Sequence, residues 1–238
     1  LLVVLPVLIC ILVYFLDIEV KKALTLIPSN YTLLTIFTTN FVHYSINHLV
    51  GNIFGYILFG FCSLMIYSRL NLEKAFRYSL VLILLTVPLA SSVSSILFLP
   101  DVLKSKPSYG FSAIVSATVG LFGFSIVSWL IKLKANKILS FVSVIFFNVS
   151  FIPLIYGRTL EGSFLLFSSI AILLYLIFKL KFRRVIVPIS VLLIQPLAIL
   201  CISPPQIIQG GGAVNILAHY VGLMFGYLIP WILINLGE

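Results

Sequence analysis

A chain of 238 residues that is 61% hydrophobic and only 9% charged, with a mean hydropathy of +1.22, cannot cover itself in water. Soluble domains carry roughly a quarter charged residues, so this composition excludes them and defines a multi-pass membrane protein. The net charge of +9 does not make a nucleic-acid binder, because the basic residues are scattered between apolar spans and form no patch.

In chain order, apolar stretches of the roughly 20-residue length that crosses a bilayer predict about eight spans: 1–16, 46–67, 78–99, 111–131, 138–156, 162–178, 185–203 and 214–236. The fold class is all-α, a polytopic membrane helix bundle forming a single transmembrane domain over 1–238. The first stretch is followed by Asp17 and Glu19 without a small-residue cleavage site, so it reads as a span and not as a signal peptide. Residue 1 is leucine, and the natural N-terminus is expected upstream. The segment 26–41 is too polar to cross and is expected to pack as a loop at the interface. Cys10, Cys62 and Cys201 are isolated within apolar runs and lack metal-ligand spacing.

Loop charges orient the bundle. With both termini in the cytoplasm, the inner loops hold ten basic residues (Arg69, Lys74, Arg77, Lys132, Lys134, Lys137, Lys179, Lys181, Arg183, Arg184) and the outer loops five (Lys21, Lys22, Lys104, Lys106, Arg158). Four of the six acids (Asp17, Glu19, Asp101, Glu161) then fall outside. That asymmetry follows the rule that cytoplasmic loops are enriched in Lys and Arg, and it sets Ser112 near the outer face of a cell membrane.

The chain has three histidines. His48 and Asn52, at i and i+4, share one face of the second span. Three predicted spans separate the helix of Ser112 from that of His219, so both helices run the same way and their polar groups sit at similar depth. Ser112, Ser116 and Gly120 recur every four residues with Ala113 and Ala117 alongside, and Ala218, Gly222 and Gly226 recur likewise. Such stripes let membrane helices approach closely. A membrane histidine is costly without a partner, so several polar groups at one depth point to a shared site.

With these residues assembled, the sequence resembles the rhomboid family of intramembrane serine proteases. The matching pieces are His43-Tyr-Ser-Ile-Asn-His48-Leu-Val-Gly-Asn52, Gly110-Phe-Ser112 with Gly120 eight residues on, and Ala218-His219-Tyr-Val-Gly222-Leu-Met-Phe-Gly226. They occur in the family's order, over the first four spans and the last. Residues 138–203 match only in being hydrophobic, and so would be inserted helices added to a rhomboid-like six-helix core.

The resemblance implies an endopeptidase that cuts in or near transmembrane segments of other proteins with a Ser112–His219 dyad. His48 and Asn52 would donate to the oxyanion, while Gly110, Gly120, Gly222 and Gly226 supply turn and packing. It implies no metal or organic cofactor and no acidic third member; the partners are membrane-protein substrates and the bilayer. His43 reads as a hydrogen-bonding anchor of the interfacial loop. Asn30, Thr38, Thr39 and Asn40, with Gln206 and Gln209, would border a hydrated opening gated by Gly210-Gly-Gly212. Three positions depart from the family. Ala113 replaces a glycine, Ser116 stands where an aromatic residue packs on the histidine ring (leaving Tyr109 or Tyr220 for that task), and the interfacial loop lacks a Trp-Arg pair. Two other classes compete. One is a rhomboid-like protein that escorts clients without cutting them. The other is a transporter, for which Pro88, Pro153 and Pro188 would supply broken helices.

Overall fold

In a computed structural model, residues 2–155, 159–180 and 216–236 are described. They are built from helices: α1 Val4–Tyr14, α2 Ile18–Leu24, α3 Leu33–Thr38, α4 Ile46–Arg69, α5 Glu73–Phe98, α6 Asp101–Lys104, α7 Ser112–Lys132, α8 Lys137–Ile155, α9 Thr159–Leu180 and α10 Ile216–Leu236. A single 3-10 turn, Thr39–Phe41, follows α3. Five helices (α4, α5, α7, α9, α10) are long and apolar enough to cross a membrane, and α8 carries a shorter apolar stretch, Lys137–Ser150.

Two of the expected spans stand apart from these six helices. α1 has 11 residues, or roughly 16 Å at 1.5 Å per residue, about half of a bilayer core. The predicted span 185–203 lies outside the described residues. The structure therefore defines a polytopic helical bundle without fixing eight crossings.

α7 is the central element. Its apolar window is 78% buried, against 44% for α4 and α5. It packs on α10, α4, α8 and α5. The reason is the distribution of small residues along it. A Cβ added at Gly222 would collide with the Ala113 carbonyl oxygen, one at Gly226 with the Ala117 oxygen, and one at Gly120 with the Leu223 oxygen. Residue numbers ascend together along this seam, so α7 and α10 run parallel with their backbones in direct contact. One turn further on, the Tyr227 hydroxyl occupies the space that the missing side chain of Gly123 leaves open. There it accepts from Asn148 Nδ2 at 2.7 Å and donates to the Val144 carbonyl at 3.3 Å, tying α10 to α8. Polar groups inside a membrane bundle must be satisfied internally, and this pair does so.

The segment 25–45 is stitched down by side chains. Thr32 and Thr35 form a reciprocal cap at the start of α3, satisfying first-turn donors. Ser92 Oγ donates to the Ile36 carbonyl at 2.6 Å, and Asn40 Nδ2 to the Pro88 carbonyl at 3.4 Å, fixing the segment on α5. Leu26 and Ser108 form an isolated antiparallel bridge. Thr39 Oγ1 donates to the Ser108 carbonyl and accepts from the Leu26 N–H at 3.0 Å. Thr39 and Asn40 are buried, so they staple the segment to α5 and to the approach to α7 and do not border an opening. Thr38 also bonds internally, to the Leu24 carbonyl at 2.8 Å; Asn30 is exposed. Gln206, Gln209 and the three glycines of the expected gate lie outside the described residues.

Candidate active site

The approach to α7 decides what meets Ser112. Gly110 has φ +112°, a backbone state that L residues avoid. Its N–H donates to the Thr39 carbonyl at 3.0 Å. The corner brings the chain under the His48 ring: a Cβ on Gly110 would lie 2.7 Å from His48 Cε1. Gly110→Ala is therefore expected to cost about 1–3 kcal/mol and to push the imidazole aside. A lower thermal midpoint in detergent, without recovery in Gly110→Ser, is the measurement that checks it.

After the corner, Phe111 is fully buried between Phe41 and Tyr56, at ring-centroid distances of 5.7 and 5.1 Å. Ser112 follows as the first residue of α7, so its backbone N–H has no intrahelical acceptor. The Ser112 Oγ lies 2.9 Å from His219 Nε2. The close seam between α7 and α10 sets that distance, since His219 stands one turn before Gly222, which rests on the backbone of Ala113.

His48 sits above this corner with its ring edge-on to His43 at 5.1 Å and 6.4 Å from Tyr109. Tyr109 thus supports His48 and stacks edge-on with Tyr44 at 4.7 Å. The four exposed acids Asp17, Glu19, Asp101 and Glu161 lie on the connections and on the first turns of α2, α6 and α9. Glu19 pairs with Lys22 and Asp101 with Lys104.

Asn52 differs from expectation. Its buried amide donates from Nδ2 to His43 Nε2 at 2.9 Å, so it is not simply a free donor pointing at Ser112. His43 does anchor the interfacial segment, as the sequence suggests, through Nδ1 and the Phe41 carbonyl at 3.2 Å. It also accepts at Nε2 from the Phe111 N–H at 3.4 Å. The nine-position separation of His43 and Asn52 hid this pairing, because a bend between them leaves no helical periodicity to read.

His43 has no exposed surface. Burial, and secondly the neighbouring His48, push its pKa down from 6.5 to about 3. An unfolded chain takes up a proton near pH 6.5 that the folded chain refuses until about pH 3. The stability this ring confers is thus complete above pH 6.5 and is lost as pH falls toward 3, by at most about 1.4 kcal/mol per pH unit. Thermal midpoints measured from pH 7.5 to 4 are expected to fall more steeply for the wild type than for His43→Gln.

All eight residues singled out from the sequence fall on the corner before α7, the N-terminal turns of α4 or the α7–α10 seam. An apolar groove lined by Phe124, Val127, Phe141, Tyr227 and Trp231 lies elsewhere, at the end marked by Lys132 and Lys137. No family model, curated protein or solved structure matches the chain. A hydroxyl at a helix N-terminus hydrogen-bonded to an imidazole is an arrangement that can activate a serine as a nucleophile.

Proposed function

We propose that this protein is an intramembrane serine endopeptidase of the rhomboid type, which hydrolyses peptide bonds in or near transmembrane segments of membrane proteins. The observation that carries the reading is the 2.9 Å contact between Ser112 Oγ and His219 Nε2 on two parallel, closely packed helices.

In the reacting form the Ser112 hydroxyl donates to an unprotonated Nε2. As Oγ attacks a peptide carbonyl carbon, His219 takes the proton, and it then returns it to the leaving amine. The acyl-enzyme is cleared when water gives a proton to the same nitrogen and attacks the ester. Charge on the tetrahedral oxygen is met by the Ser112 N–H at the positive end of α7, with His48 and Asn52 as side-chain donors. The chemistry draws on nothing outside the chain but substrate and water.

Sidedness follows from charge. Arg69, Lys132 and Lys137 gather at the end of the bundle remote from Ser112, where Lys132 Nζ donates to the Arg69 carbonyl at 3.4 Å. Assigning that basic end to the cytoplasm puts the dyad below the outer face of the cell membrane. A second reading, a non-cutting escort of membrane clients, draws support from the engagement of the Asn52 amide by His43. Reaction with a fluorophosphonate probe in detergent separates the two. Label on Ser112 is expected; an inert serine in a folded protein supports the escort.

A further inference from the structure

We infer that His43 is a positioning residue for this site: an imidazole carrying its proton on Nδ1, which turns the Asn52 amide so that nitrogen rather than oxygen faces the corner before Ser112. The inference rests on the hydrolase reading for its catalytic meaning, but the hydrogen-bond pattern alone defines it.

The Phe41 carbonyl, 3.2 Å from Nδ1, can only accept, so Nδ1 must be the protonated nitrogen. Nε2 faces two groups. One is the Phe111 backbone N–H at 3.4 Å, which can only donate; the other is the Asn52 amide at 2.9 Å. A proton on Nε2 would oppose the Phe111 N–H. A bare Nε2 facing the Asn52 oxygen would set two lone pairs against each other. One combination satisfies every contact, a neutral Nδ1–H ring with the amide presenting NH2. The ambiguity between amide oxygen and nitrogen is thereby removed by neighbours whose roles are fixed.

The consequence reaches the chemistry because an amide nitrogen has two hydrogens. One is held by His43; the other is left for the charge that develops on a substrate carbonyl oxygen. With the amide reversed, Asn52 would present an acceptor, which repels that charge. His43 also joins three pieces of chain at one buried point: the segment before α4, α4 itself and the peptide preceding Ser112. His48, edge-on at 5.1 Å, is the titratable group facing it. No residue other than a neutral histidine can donate to the first piece and accept from the other two through one rigid ring.

Two measurements test this. Imidazole-15N spectra in micelles, assigned by single-histidine variants, are expected to show the His43 proton on Nδ1 and a bare Nε2, unchanged from pH 8 to pH 5. A proton on Nε2, or titration near the ordinary value, overturns the inference. For the functional part, fluorophosphonate labelling of Ser112 is expected to slow about 100- to 1,000-fold in both His43→Ala and Asn52→Ala, the scale of losing one oxyanion donor. Acting through Asn52, His43 should add nothing further in the double variant. A double variant slowed by the product of the two single effects overturns positioning in favour of separate structural roles. A wild-type chain that takes no label overturns the hydrolase reading instead, and the ring-nitrogen spectra then decide the His43–Asn52 lock by themselves.

Discussion

Ser112→Ala is expected to abolish cleavage of a single-pass substrate in liposomes, and His219→Ala to do so to the same degree. Each loss should be on the order of 10,000-fold, because without the base the hydroxyl is a poor nucleophile and without the hydroxyl the base has nothing to activate. The two groups act as a unit 2.9 Å apart, so the double variant should be no worse than either single one. Both side chains are half-buried and neither carries the packing of the helices, so thermal midpoints should stay near wild type. Turnover that persists in either variant, measured as product per enzyme over hours, ends the protease reading.

The second large effect is expected at positions that carry no reacting atom themselves. Gly222→Ala and Gly226→Ala should each lower activity about 100-fold or more. A new methyl at either position meets a backbone carbonyl of α7, at Ala113 or Ala117, and a helix backbone cannot yield as a flexible side chain does. Overpacking of this kind costs about 1–3 kcal/mol. Relief by separating the helices would lengthen the Ser112–His219 contact beyond hydrogen-bond reach, and an angstrom of misplacement is enough to cost 100-fold. Gly60 provides the control, since nothing lies within 4 Å of a Cβ built there. Gly60→Ala should leave activity and midpoint unchanged. A Gly222→Ala protein as active as wild type would show that the seam does not set the dyad.

Much of the fold was legible because a bilayer admits few solutions. Backbone groups in hydrocarbon must be satisfied within a helix, so apolar stretches near 50, 85, 120 and 225 had to become α4, α5, α7 and α10. The candidate site was legible for a similar reason. His219 and Ser112 are polar groups at the starts of two helices with matching glycine stripes, and small-residue periodicity survives in sequence. What escaped depends on three-dimensional closure. The bond between Asn148 and Tyr227 spans 79 residues and leaves no local signature. The short helix α3 is set by its Thr32–Thr35 cap and by the stitches through Thr39 and Ser92, and α2 and α6 are, like it, too short for an apolar period to be read. Of the residues expected to form a wet rim, Thr38, Thr39 and Asn40 proved to be stitches, while Asn30 is exposed.

The α7–α10 seam has a bearing on how the protein is made. Hydroxyl and imidazole are 107 residues apart in the chain, and the glycine faces that hold them cannot meet until α10 has left the ribosome. At 5–20 residues per second, synthesis leaves Ser112 without His219 for roughly 5 to 20 s. On the proposed protease reading, the newborn polypeptide could not cut neighbouring helices during that interval, because its serine would still lack a base.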